Sequence, residues 1–199
     1  MMLTEQTGVP DAALPVQAMR DHLRLGSGFA DAGAQDALVL AYLRAALAAV
    51  EGRIGKALFA RRFLWTLADW RTPGGQPLPV APVVEVVSVA LVDRHGVAAE
   101  LAPDAWRLER DLHRPRLRPR GVALPPAPTG GRIEVTFDAG FGADWADVPA
   151  DLRQAVLMLG AHYHEFRHDA AGATGAMPFG VSALVERWRT VRVLAGGGR

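Results

Sequence analysis

The sharpest chemical signal in this sequence is a pair of histidines spaced four residues apart, His164 and His168, with Glu165 directly after the first. On a helix, positions i and i+4 lie on one face, so both imidazoles can bind one Zn²⁺ while the glutamate acts as a base. A catalytic zinc needs a third protein ligand, and the candidate is Glu186. The pattern therefore raises the hypothesis of a zinc-dependent hydrolase.

The residues around this pair favour a simpler interpretation. Arg167 lies between the two histidines, and His162 adds a further polar side chain. The apolar stripe of the same predicted helix, formed by Leu159, Tyr163 and Phe166, points to another face. We therefore expect both histidines to lie beside the core face near solvent, at a histidine-rich helix end, and we predict neither a cofactor nor an enzymatic activity.

Two other patterns have weaker chemical content. The run 140–142 contains two glycines, but it has no lysine of the phosphate-loop type, so we predict a turn that ends a strand. The arginines of 107–120 could follow a phosphate backbone, yet Glu109 and Asp111 interleave with them, which favours a solvated loop. No serine, histidine and acid set can be singled out as a catalytic triad.

The composition is that of one folded chain without a strong electrostatic field. Half of the 199 residues are hydrophobic and 22% are charged, which predicts one domain or a domain with an insertion. The 22 basic and 21 acidic residues leave a net charge of +1, which argues against a general nucleic-acid-binding module. The absence of cysteine excludes disulfides, thiolate metal sites and thiol nucleophiles. No segment approaches the about 20 apolar residues of a membrane span, so we expect no membrane contact and a cytosolic protein.

Apolar residues recur at helical spacing in both end regions of the chain. A short helix is predicted over 16–25, and a long helix follows that ends at Gly55. A further helix begins at Pro149, because proline suits the first helical position. A last helix is predicted over 178–194. The stripe of the long helix comprises Leu40, Leu43, Leu47, Val50 and Ile54, and that of the helix after Pro149 comprises Leu152, Val156, Leu159, Tyr163 and Phe166.

Between these helical regions the period changes to that of extended strands. Strands are predicted over 63–67, over 83–92 and, after a hairpin turn, over 97–101. The β-branched residues on both faces of 83–92 predict a strand buried in a sheet. The clearest alternation of apolar and polar residues is 132–138, which predicts a strand with one wet face. Arginines and prolines in 107–120 predict at best an edge strand plus a loop.

The order of these segments predicts an α+β fold. We expect mainly an α-helical bundle built from both chain ends, residues 1–60 and 148–199, with a small antiparallel β-sheet inserted between them as a β-rich subdomain, residues 61–147. Contacts between distant segments would then hold the helical body together.

The same order of features resembles the head-tail connector, or adaptor, proteins of long-tailed phages and of the related gene transfer agents. Residues 135–142, followed by 148–155, are the most specific match, and 163–167 are similar to the end of a structural helix of that family. The remaining matches are the leading-helix segment 19–25, the end of the long helix 45–58, the strand 63–67 and the leucine-proline to proline-valine step 78–83.

The resemblance implies a structural subunit without catalysis. It implies a ring of identical subunits, twelve in number to match the portal, located in the neck of the particle between portal and tail. The expected partners are other copies of the chain, the portal protein, a stopper or tail-proximal connector protein, and the packaged double-stranded DNA in the channel. Which residues line that channel is left open. Assembly is expected in the cytoplasm of the producing cell.

The resemblance also implies that the C-terminal segment, the predicted helix 178–194, acts as a portal-docking arm. An apolar anchor on this helix fits such a role, and a lone subunit is expected to leave its stripe partly unsatisfied. The predicted portal-contacting residues are Val181, Leu184, Val185, Trp188, Arg189, Val191 and Arg192.

Overall fold

The computed structural model describes residues 1–25, 32–166 and 177–189. Four α-helices lie in these ranges, together with three short 3-10 turns. The helices are α1 (Val16–His22), α2 (Ala32–Ile54), α3 (Ala150–Glu165) and α4 (Phe179–Val185), and the turns are Asp11–Ala13, Trp145–Asp147 and Glu186–Trp188. None of the described helices combines the length and the apolar character that crossing a bilayer requires.

Eight strands form two antiparallel sheets. The larger sheet has the strand order β1-β2-β8-β4-β5, and the smaller has the order β3-β7-β6. The strands are β1 (Met2–Glu5), β2 (Arg61–Leu67), β3 (Gln76–Pro77), β4 (Val83–Val92), β5 (Ala98–Glu100), β6 (Trp106–Glu109), β7 (Arg116–Pro119) and β8 (Arg132–Ala139). The α+β class is confirmed. The expectation of a mainly helical bundle with one small sheet is corrected, because strands are about as frequent as helices and form two sheets.

The long helix α2 forms and ends as its sequence predicts. Leu43 and Val50 of its stripe are fully buried. The helix ends where Gly55 adopts a left-handed backbone conformation, with φ of 69°, which glycine tolerates best. Beyond this turn the backbone N–H of Leu58 donates to the Glu51 carboxylate at 2.6 Å, so the last turn of the helix holds the chain that leaves it.

Helices α2 and α3 pack closely because a glycine faces the contact. A Cβ atom at Gly160 of α3 would lie 3.0 Å from the Met19 side chain of α1, and Ala46 of α2 is also close. The first core therefore contains α1, α2, α3 and α4, together with the segments that flank them.

Strand β8 lies at the centre of the larger sheet and shows the predicted alternation. Its apolar side chains Val135 and Phe137 are fully buried, and the Phe137 ring stacks on Phe63 of β2 with centroids 5.6 Å apart. On the other face Arg62 binds Asp138 through two hydrogen bonds of 2.8 Å. These bonds keep the pKa of Asp138 below its ordinary value.

Three features of the sheets differ from the sequence-based expectations. Strand β1 was not predicted; its four exposed residues are held by antiparallel pairing with β2. The segment 107–120 forms the paired strands β6 and β7 instead of an edge strand plus a loop, because Leu117 is fully buried in the second core. Strand β4 is not buried on both faces, since Val84 and Val87 are exposed.

The second core lies between the two sheets and is separate from the helical core. The two cores meet where β8 ends, at the run 140–142. Gly140 has φ of 141°, and a Cβ atom there would overlap the backbone of Phe59. The backbone N–H of Phe141 donates to the Leu58 carbonyl at 3.2 Å. The predicted strand-ending turn is confirmed, and it joins the sheet to the helices.

Candidate functional site

The C-terminal segment, residues 177–189, packs on the helical core of its own subunit. Val181 and Val185 of α4 are fully buried, and Trp188 is 9% exposed. They lie in the same core as residues of α2 and α3. Within the described residues most of the stripe is therefore covered by its own subunit, and Leu184 stays only partly buried. The assignment of these residues to a portal contact stays a prediction.

Trp188 is the residue that fixes the segment most specifically. Its indole N–H donates to the Asp151 carboxylate at 2.7 Å, and its ring meets Phe141 edge to face with centroids 5.5 Å apart. The Arg187 guanidinium lies 5.0 Å from the Trp188 ring and pairs with the same carboxylate at 2.7 Å. Apolar, aromatic and charge-assisted contacts therefore converge on one side chain.

Lys56, the only lysine in the sequence, also contacts Trp188. It follows the end of α2, is 2% exposed, and donates from Nζ to the backbone carbonyl of Trp188 at 2.7 Å. The same Nζ lies 3.0 Å from His113 Nδ1 in the loop between β6 and β7. Burial lowers the pKa of Lys56, while the nearby Asp111 opposes that shift. Lys56 thus joins the helical core, the smaller sheet and the C-terminal segment at one point.

The geometry also corrects the predicted C-terminal helix. Helix α4 ends at Val185 and continues as the 3-10 turn Glu186–Trp188, after which Arg189 has extended backbone angles. The Trp188 carbonyl accepts a hydrogen bond from Lys56, and the extended angles of Arg189 end the helical conformation. Arg189 pairs with Glu186 at 2.8 Å. The predicted contact residues Val191 and Arg192 lie outside the described residues.

The structure lends no support to the zinc interpretation. The His164 ring meets the Tyr42 ring edge to face at 5.9 Å, and His168 lies outside the described residues. The Glu186 carboxylate, the candidate third ligand, accepts hydrogen bonds from Arg189. Across residues 1–25, 32–166 and 177–189, no three or more histidine, cysteine or acidic side chains are grouped as metal ligands would be.

Sequence reasoning missed two features of this region. Phe179, at the start of α4, is 89% exposed and lies off the apolar stripe, so periodicity did not single it out. Lys56 is buried although lysine is almost never fully buried without a partner, and no pattern in the sequence indicated its contacts. The uniqueness of Lys56 among 22 basic residues was the one available signal.

Comparison with known proteins places this fold in a particle neck. No protein-family model and no curated protein matches the chain. A solved structure described as the neck of an empty gene transfer agent particle, computed with C6 symmetry, contains a chain that is 59% identical, with a TM-score of 0.90. The match covers 98% of this chain and 99% of that one.

Two further solved structures agree. A chain in the virion of a native gene transfer agent particle is 58% identical with a TM-score of 0.87, and one in the neck of a native particle, computed with C12 symmetry, is 53% identical with a TM-score of 0.85. Both matches cover 98% of this chain and 99% of the other. The fold is thus that of a structural protein of a particle neck. The chain belongs to the family of gene transfer agent head-tail connector proteins.

Proposed function

We propose that this protein is a structural connector subunit that forms a ring in the neck of a gene transfer agent particle, between the portal and the tail. The observation that carries the proposal is the identity of 59% over 98% of the chain to a protein of such a neck. At this identity and a TM-score of 0.90 the two chains share one fold. The relatives are components of a particle, and no observation favours a zinc hydrolase.

The ring is proposed to contain twelve copies of the chain. Necks of the related particles were computed with C6 and with C12 symmetry, and a twelve-membered ring is compatible with both. In such a ring each subunit presents two different surfaces that meet head to tail. The further partners that we propose are the portal protein, a stopper protein on the tail side, and packaged double-stranded DNA in the channel.

The two cores support a division of the subunit into two structural parts. We propose that residues 1–60 and 148–199 form the adaptor body and that 61–147 form an inserted subdomain. The first core draws on α1 to α4, and the second on the two sheets. Strand β1 departs from this division, because residues 2–5 belong to the body by sequence but pair with the sheet.

The C-terminal segment remains the proposed portal-docking arm, with a sharper assignment of roles. Val181, Val185 and Trp188 are buried, so they anchor the arm to its own subunit. The partly exposed Leu184 and Arg189, with Val191 and Arg192 beyond them, are the members of the predicted set proposed to reach the portal.

Removing residues 190–199 tests this arm without disturbing the anchor. The described contacts of Trp188 and Lys56 remain in such a variant, so we expect it to fold and to keep its thermal stability. We expect heads and tails produced with it to remain unjoined in electron micrographs. A variant in which 190–199 are replaced by glycine and serine residues of equal number controls for length. Normal joined particles from both variants would contradict the portal-docking role.

A further inference from the structure

A cleft of about 680 Å³ lies where the end of α2, the β3–β4 segment and the β6–β7 loop meet. We call it the arginine cleft. It is lined by Met1, Gly52, Arg53, Ile54, Gly55, Trp65, Arg71, Thr72, Gln76, Pro77, Leu78, Pro79, Val80, Ala81, His113, Arg114, Arg116 and Arg189. The cleft is a different feature from the Trp188 anchor of the C-terminal segment, although Arg189 and His113 belong to both regions.

The charge of this cleft is unbalanced. Five arginines line it, and its lining contains no aspartate or glutamate. In a chain whose net charge is only +1, such a concentration of one sign is a local feature and does not reflect the composition. In the same lining, burial and then Lys56 lower the pKa of His113, while Asp111 opposes that shift. An anionic group entering the cleft would therefore be stabilised.

Two of these arginines are available for a ligand. Arg189 is engaged with Glu186 at 2.8 Å, and Arg116 lies near Glu109, whose pKa it helps to lower. Arg53 and Arg71 are exposed, and within the described part of the chain neither guanidinium pairs with a carboxylate. Guanidinium groups bind carboxylates and phosphates through paired hydrogen bonds, so these two define the chemistry of the ligand.

Besides the five arginines, the lining residues are apolar residues, glycine or proline, apart from Thr72, Gln76 and His113. Buried Ile54 and Leu78 are among the apolar residues, and so is Trp65, which is 2% exposed. The Trp65 indole N–H is buried and has no hydrogen-bond partner among the described residues.

We propose that the arginine cleft binds an acidic and partly apolar segment of a neighbouring polypeptide chain in the neck. A protein segment can present a carboxylate to Arg53 and Arg71 while its apolar side chains contact the walls of the cleft. Duplex DNA presents its phosphates on a convex cylinder and has little apolar surface to bury, so it fits this concavity less well. The chain's own residues 190–199 contain two arginines and no acidic side chain, so their side chains match the charge of the cleft poorly. This inference rests on the proposed function for the presence of a neighbour.

Site-specific photo-cross-linking in assembled particles tests the occupant directly. Thr72 is exposed and lines the cleft, so its replacement by p-benzoylphenylalanine places the reactive group at the entrance. After irradiation, mass spectrometry is expected to find a cross-linked peptide from another chain with an aspartate or glutamate close to the linked residue. A cross-link to DNA, to the chain's own residues 190–199, or to no other chain would overturn the proposal.

Charge reversal tests whether the arginines contribute to binding. The double variant Arg53→Glu/Arg71→Glu is compared with the matched control Arg94→Glu/Arg107→Glu, whose exposed arginines lie outside the cleft. We expect the cleft variant to reduce the yield of complete particles by about thirtyfold, as expected for the loss of a buried interfacial charge pair. The control is expected to stay within about twofold. Equal yields from the two variants would overturn the proposal.

Different results would overturn the proposed connector function and the proposed occupant of the cleft. If the wild-type polypeptide is missing from purified particles, the proposed function is wrong and the proposal for the cleft is overturned with it. If the polypeptide is present in the neck but the Thr72 position cross-links elsewhere, the connector function stands and the proposal for the cleft is wrong. Circular dichroism of both double variants confirms that each one folds before yields are compared.

Discussion

Replacing Trp188 by alanine should release the C-terminal segment from the body of the subunit. The substitution removes the contact with Phe141, the hydrogen bond to Asp151 and most of the buried surface between the 3-10 turn and α3. The backbone carbonyl that Lys56 binds is retained, but the side chain that positions it is lost. We therefore expect the segment 177–189 to lose its fixed position while α2 and α3 keep theirs.

The loss of stability in the Trp188 variants is estimated from the burial and the hydrogen bond of this side chain. Trp188 is 9% exposed, and truncation of a buried aromatic residue to alanine costs about 3–5 kcal/mol. The conservative change Trp188→Phe keeps most of the packing and removes the hydrogen bond to a carboxylate, which is worth about 1.5–3 kcal/mol. Because Asp151 also pairs with Arg187, we expect this second loss near the lower end of that range.

Urea unfolding followed by circular dichroism measures both losses, and hydrogen exchange resolved by peptide shows where they fall. The exchange of amides in 179–188 should accelerate strongly in Trp188→Ala and weakly in Trp188→Phe. Phe179→Ala is the matched control, since this aromatic side chain of the same segment is 89% exposed, and its substitution should change stability by less than about 0.5 kcal/mol. Unchanged exchange in Trp188→Ala would refute the reasoning, because the segment would then not depend on its anchor.

Two further variants change Glu51 and His113. Glu51→Ala should destabilise the protein by about 2–3 kcal/mol. It removes the bidentate partner of Arg61, which keeps only the pairing with Glu5, and it removes the acceptor of the Leu58 N–H. A urea unfolding midpoint that did not move would contradict this. The pKa of His113 lies below its ordinary value of 6.5, first because of burial and then because of Lys56, so the unfolded chain binds this proton more tightly than the folded one. Stability should therefore fall as the pH decreases below about 6.5, and His113→Asn should reduce this dependence; an unchanged pH profile in that variant would show that the histidine is not responsible.

Local periodicity accounts for the parts of the fold that were predicted well. Helix α2 and strand β8 each bury one face, so their residues alternate with the period of the element, and this alternation is legible in the sequence. The strand-ending turn at 140–142 was predicted because the run contains two glycines and lacks the lysine of a phosphate loop. Such features depend on neighbours along the chain.

Features that depend on distant segments were not predictable in this way. Strand β1 has no buried residue, and only its pairing with β2 makes it a strand. Nothing in the arginine-rich segment 107–120 indicated that Leu117 fills a core. The C-terminal stripe was predicted correctly as apolar, but whether it meets its own subunit or a partner is decided by the position of α3 and by Lys56. The arginine cleft combines several separate segments of the chain, so no single stretch of sequence reveals it.

The central claim is that this polypeptide is a ring component of a particle neck. Electron cryo-microscopy of particles purified from the producing strain, together with mass spectrometry of the same sample, tests it most directly. We expect the polypeptide to be present and a ring of twelve copies of this α+β fold to fit the density between head and tail. Particles with a complete neck that contains no copy of this chain would contradict it.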